Sequence, residues 1–163
     1  MPRILLYMIL LLPVHTLAQS FNGNITVPVN IGTVMVLSVT NNASSVITLD
    51  NTQYANGYTR AGFNSFAIKS NVPWRLSVAS ATPFFAASGT YASSNMPASV
   101  IGVAKTGQPF VQLTTTPQLL ASGNRGNSTK TGNSFNMDFR ATPGYDYGPG
   151  IYTLTLLYTL TAQ

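Results

Sequence analysis

The chain has 163 residues, with eight Lys and Arg against three Asp and Glu, one His and no Cys. That length supplies one ordinary domain, large enough to fold without a disulfide staple. The basic residues stand singly and form no stripe, so no nucleic-acid partner is expected.

The N-terminus reads as an export signal. Arg3 precedes an apolar run from Ile4 to Leu12, Pro13 breaks it, and Thr16-Leu17-Ala18 places small residues at the −3 and −1 positions of a cleavage site. This is the layout of a secretory signal peptide over residues 1–18. The run is far shorter than the ~20 apolar residues that cross a bilayer, so no membrane span is expected. Residues 19–163 are then the mature domain, exported to the cell surface, the periplasm or the medium. Without Arg3 its charge is seven minus three, or +4. No Cys follows the cut, which excludes a cysteine-linked lipid anchor, and a cysteine-free exported chain points toward a bacterial source.

From there the chain reads as strands and turns. Ile25, Val27, Val29 and Ile31 alternate with Thr26, Pro28 and Asn30, predicting a strand over residues 25–31. Pro28 lacks an N–H, so that strand belongs at a sheet edge. It can pair within its own sheet or add to a neighbour's edge, and is the candidate assembly strand. Further strands are predicted over residues 34–39 and 46–49, and Asn56-Gly57 reads as a tight turn. Phe66 and Ile68 alternate with Ala67 and Lys69 in a strand over residues 63–69. Trp74, Leu76 and Val78 alternate with Arg75, Ser77 and Ala79 in the next.

Residues 99–103 and 110–113 are shorter strand candidates. Residues 122–133 are a polar stretch that reads as an exposed hairpin loop or a binding loop. Phe135, Met137 and Phe139 alternate with Asn136, Asp138 and Arg140. After Gly148-Pro149-Gly150, one parity of residues 151–161 reads Tyr152, Leu154, Leu156, Tyr158 and Leu160, the core-facing set of a final strand. About nine strands without crossover helices predict an all-β fold: a single antiparallel β-sandwich, Ig-like or pilin-like. Trp74, Leu76, Tyr158 and Leu160 are its expected core anchors.

Catalysis is not expected. The one His, His15, lies in the signal segment, so the mature chain lacks His, Cys and Glu together. A hydrolytic triad needs a His or Cys, and a zinc site needs Cys, His or several carboxylates. A glycosidase needs two facing carboxylates. Asp138 sits on a strand beside Arg140 and Asp146 in a loop, so both read as structural. No metal or cofactor is expected: Asp146 amid loop carbonyls is one acid without a cluster. Tyr145, Asp146 and Tyr147 form the candidate ligand or partner surface, since exposed rings beside amide side chains can hold a glycan.

Two segments carry a family resemblance. Residues 70–78, Ser-Asn-Val-Pro-Trp-Arg-Leu-Ser-Val, resemble the first Trp-x-Leu strand of bacterial WxL-type cell-surface domains. Residues 149–160 resemble their closing strand, with Tyr158-Thr159-Leu160 standing where the second Trp-x-Leu is found. The closing Gly-x-Tyr-Thr strand is also similar to those of small bacterial pilin-like and spore-coat-like sandwiches. The resemblance implies a non-catalytic structural or adhesion protein, attached to the envelope or assembled into a surface fibre. Its partners would be itself or other envelope proteins, joined by strand pairing. A carbohydrate-binding module, with cell-wall or other glycan as ligand, is the alternative.

Overall fold

Side-chain parity organises the sheets. In a computed structural model describing residues 27–41 and 46–163, the expected inward residues Phe66, Ile68, Trp74, Leu76, Val78, Met137 and Phe139 are all buried, and Ala79 is buried as well although it stands on the other parity. Residues 1–18, expected to be a signal segment, and Ile25 lie outside the described residues. Gly32–Gln163 forms one compact unit.

The described residues form ten strands: β1 (Met35–Asn41), β2 (Tyr58–Ser70), β3 (Trp74–Ser80), β4 (Ala86–Ser88), β5 (Ile101–Lys105), β6 (Val111–Gln112), β7 (Gln118–Gly123), β8 (Ser134–Ala141), β9 (Ile151–Thr153) and β10 (Leu156–Ala162). A five-stranded sheet runs β1-β2-β8-β5-β6, a three-stranded sheet β10-β3-β7, and β4 pairs with β9 alone. All pairings are antiparallel.

The two larger sheets face each other as a sandwich. Phe66, Ile68, Val103, Met137 and Phe139 of one sheet share a buried cluster with Trp74, Leu76, Val78, Leu120 and Ala121 of the other. Rings bridge the layers: Phe66 meets Tyr158 edge-on with centroids 5.0 Å apart, and Trp74 stacks on Phe135 at 6.4 Å. Aromatic pairs at such distances add to the area they bury.

Four expectations are corrected. Residues 27–31 take part in no strand, although their parity is that of one. Residues 46–49 form no strand either; they lead into a short helix, α1 (Asn51–Asn56). Asn56-Gly57 is therefore a helix end rather than a hairpin turn. Gly57, with φ 79°, closes α1 by donating to the Gln53 carbonyl. Lastly, residues 151–161 are two strands. Tyr152, Leu154, Leu156, Tyr158 and Leu160 all pack on the core as expected. The chain nevertheless leaves β4 for β3 at Leu154-Thr155, where neither neighbour supplies a ladder partner.

The polar stretch after β7 folds on itself. Gly126 and Ser70 exchange backbone hydrogen bonds at 2.7 and 3.0 Å, and Lys130 Nζ donates to the Arg125 carbonyl at 2.8 Å. Asn127 Oδ1 accepts from both Thr129 N and Thr129 Oγ1, a local turn that asparagine favours.

Candidate functional site

Three places in the fold bear on function: the segment before β1, the sandwich edge that β1 and β10 share, and an aromatic cleft beside α1.

Val27, Val29 and Ile31 are 72%, 77% and 77% exposed. Three β-branched apolar residues in alternation, this open to solvent, are unusual because burying each is worth about 1.5–3 kcal/mol. The chain just after them is held firmly. Asn71 Nδ2 donates to the Gly32 carbonyl at 2.6 Å, Val34 N donates to Asn71 Oδ1 at 2.8 Å, and Asn71 N donates to the Val34 carbonyl at 3.1 Å. Gly32 does not adopt a positive φ, so it makes no turn of the kind glycine favours.

β1 and β10 are edge strands, each with one ladder partner among the described residues. Met35, Leu37 and Val39 pair with Ser70, Ile68 and Phe66, all buried, and so lie on the inward parity of β1. Yet Met35 and Leu37 are only half-buried, and Val39 is 41% exposed. β10 comes close to β1 at this edge, and its Tyr158 side chain reaches the next strands in. Tyr158 meets Phe66 of β2, its hydroxyl accepts from Asn64 Nδ2 at 3.3 Å, and it also donates to Met137 Sδ of β8 at 3.6 Å. Burial pushes the Tyr158 phenol above its ordinary range, with the Asn64 hydrogen bond opposing more weakly. Leu156 and Leu160, also facing inward on β10, remain half-buried.

The cleft is lined by Asn51, Tyr54, Tyr145, Tyr147 and Pro149, a shallow space of about 370 Å³. Asp50 caps α1 by accepting from Gln53 N at 2.8 Å, while Gln53 Oε1 accepts from Asp50 N at 3.0 Å. The helix so fixed carries Tyr54, whose ring stacks on Tyr145 with centroids 6.0 Å apart. The Tyr145 hydroxyl bonds Asn51 Oδ1 at 3.0 Å. The opposite wall, the loop between β8 and β9, is braced where Gly148 N donates to Ser93 Oγ at 2.9 Å and the Tyr152 hydroxyl donates to the Gly148 carbonyl. Of the candidate surface, Tyr145 is 68% exposed, Asp146 is exposed, and Tyr147 is half-buried against the core. Asn51 and Tyr54 were not singled out in the sequence, and Pro149 only as part of the turn and closing segment; the capping pair Asp50 and Gln53 was the available signal for the first two.

Asp138, like Asp50, has evident local work. Asp138 Oδ1 accepts from Gly62 N at 2.9 Å and from Thr106 Oγ1 at 2.6 Å. Gly62 sits where the β2–β8 register slips between Arg60 and Asn64, so Asp138 fastens a bulge. Among the described residues no three of His, Cys, Asp or Glu come together, and no helix is long and apolar enough to cross a membrane.

Trp74 and Leu76 are fully buried, whereas Tyr158 and Leu160 are half-buried against the same core. Comparison with protein-family models and with curated protein sequences finds no match, so the functional reading rests on this geometry.

Proposed function

We propose that this chain is an exported, non-catalytic structural or adhesion protein of a bacterial cell surface, attached to the envelope or assembled into a surface fibre. The observation that carries the reading is the exposed apolar alternation of Val27, Val29 and Ile31, which belongs to no strand among the described residues. Such a segment is suited to strand addition. Main-chain hydrogen bonds to a partner's edge supply affinity, and alternate side chains fill its pockets. The WxL-like and pilin-like features of residues 70–78 and 149–160 support the same class of protein.

Size-exclusion chromatography with light scattering tests it on two exported chains, one intact and one lacking residues 19–31. Concentration-dependent multimers from the intact chain, and a folded monomer from the shortened one, support assembly. A monomer from both overturns it.

The cleft favours a second reading, a carbohydrate-binding module. Stacked Tyr54 and Tyr145 beside Asn51 present a ring and an amide to one shallow space. A glycan array probed with the intact chain and with Tyr145→Ala decides. Specific binding lost in the variant favours the module, and no binding removes it.

A further inference from the structure

Acidic residues are scarce in this chain, yet two of them stand beside the aromatic cleft. Three Asp and no Glu are set against eight Lys and Arg. Asp50 immediately precedes Asn51, and Asp146 lies between Tyr145 and Tyr147, while no Lys or Arg is among the lining residues. Asp50 is engaged as the cap of α1, and Asp138 fastens the β2 bulge elsewhere. Asp146 is exposed, and its carboxylate accepts no hydrogen bond among the described residues. A basic chain therefore turns a locally negative rim to this one aromatic surface. Charges so near a shallow cleft act on a ligand within the screening distance of about 8–10 Å, without having to touch it.

We propose that the cleft selects glycans bearing free, protonated amino groups, of the glucosamine type, over N-acetylated and acidic ones. This rests on the carbohydrate reading of the cleft and names its ligand class. The rings set how such a ligand enters. Tyr54 and Tyr145 stack with centroids 6.0 Å apart and planes 23° from parallel. A ligand held between two rings needs about 3.5–4.0 Å on each side, more than that stack leaves. It must instead lie on the outer surface of Tyr145, which is 68% exposed. Tyr54 backs that ring, and Asn51 Oδ1 holds its hydroxyl at 3.0 Å. With Oδ1 so used, Asn51 offers the cleft its amide N–H groups. The C–H face of a sugar can stack on Tyr145 while a sugar hydroxyl accepts from Asn51. An ammonium group on the same sugar gains from the negative ring face and from the free Asp146 carboxylate. An acidic sugar would meet two like charges and no cation among the lining residues.

Titration calorimetry of the full exported chain tests it, in mildly acidic, low-salt buffer that keeps the amine protonated. The probes are oligomers of equal length: glucosamine, N-acetylglucosamine and galacturonic acid. An exposed cation–ring contact and a nearby carboxylate are each worth a few-fold, so the glucosamine oligomer should bind about ten-fold more tightly than its N-acetylated counterpart. The acidic oligomer should bind least. Asp146→Asn, at an exposed position, should weaken the glucosamine oligomer about three-fold and leave the N-acetylated one unchanged. Tyr145→Ala should abolish binding of both, with unchanged Trp74 fluorescence showing that the sandwich is intact. Equal binding of the two, the same loss for both in Asp146→Asn, or tighter binding of the acidic oligomer overturns the amine selection and leaves the carbohydrate reading standing. Binding that survives Tyr145→Ala overturns the site. No binding of any of the three overturns the proposal, and an empty glycan array as well removes the carbohydrate reading beneath it.

Discussion

The indole nitrogen of Trp74 donates to Asn133 Oδ1, 3.1 Å away, and neither side chain reaches solvent. The bond ties the largest core residue to the end of the polar loop after β7. Asn133 meets its other obligations there: Nδ2 donates to the Asn127 carbonyl at 3.1 Å, its N donates to the Lys130 carbonyl, and its carbonyl accepts from Ile68 N at 2.8 Å. Asn133→Leu would leave a buried indole N–H without a partner, a loss of about 1–3 kcal/mol. Urea unfolding followed by tryptophan fluorescence measures it directly, because Trp74 is the sole tryptophan. A loss below about 0.5 kcal/mol would mean the bond contributes little.

The same indole fixes its other neighbour. A Cβ on Gly123 would overlap the six-membered ring of Trp74. Gly123→Ala should therefore overpack the site and cost about 1–3 kcal/mol, an effect opposite to the usual stabilisation from replacing a flexible glycine. The check is the urea midpoint. An unchanged or raised midpoint would show that Trp74 can move aside.

How much of this was legible in the sequence follows from the range of each interaction. Alternation reports which face of a strand is apolar, so β2, β3, β8 and the inward row of residues 152–160 stood out. It does not report the partner, so residues 27–31 looked like any other strand and residues 151–161 looked like one strand instead of two. β4 is Ala-Ala-Ser and carries no apolar pattern. In β7, Leu119 and Leu120 are adjacent, which blurs the parity. α1 has only six residues, too few for a helical period to appear, although Asp50 and Gln53 spelled out its cap. Asn133 was one of several polar residues in a loop, and its role depends on a tryptophan 59 positions away. The cleft likewise needs Tyr54 and Tyr145 brought together by the fold, so only its loop half was visible.

Asp138 holds the β2 bulge from the side. Its Oδ1 accepts from Gly62 N and Thr106 Oγ1, and hydrogen bonds to a charged acceptor are worth about 1.5–3 kcal/mol. Asp138→Ala should lose about that much, while Asp138→Asn, which keeps a carbonyl oxygen in place, should recover more than half of it. Thermal unfolding of the three chains measures the difference. Equal losses for both variants would show that shape, rather than acceptance, fixes the bulge.

α1 depends on its cap more than on its length, since an isolated helix this short is not stable in water. Asp50→Ala removes the acceptor for Gln53 N and should cost about 1 kcal/mol locally. The expected signature is faster amide exchange in Asn51–Asn56 with the exchange of β3 and β8 unchanged. If β3 also exchanges faster, α1 supports the sandwich and the cleft is part of the core's stability.

Tyr158 gives the fold an alkaline limit. Burial raises its phenol pKa in the folded state, so folding favours the neutral ring. The associated stability is fully present below the unfolded pKa of about 10 and is lost as pH rises through the folded value. Tyr158→Phe removes the ionisation. It also removes the partner of Asn64 Nδ2, in a side chain whose Oδ1 is already buried without one. The variant should therefore be less stable than the parent at neutral pH by about 1 kcal/mol, and the gap should narrow or reverse above about pH 10. Urea unfolding of both chains across that range checks the sign. Parallel stability curves would show that Tyr158 ionisation sets no alkaline limit and would leave Tyr158 as a packing residue alone.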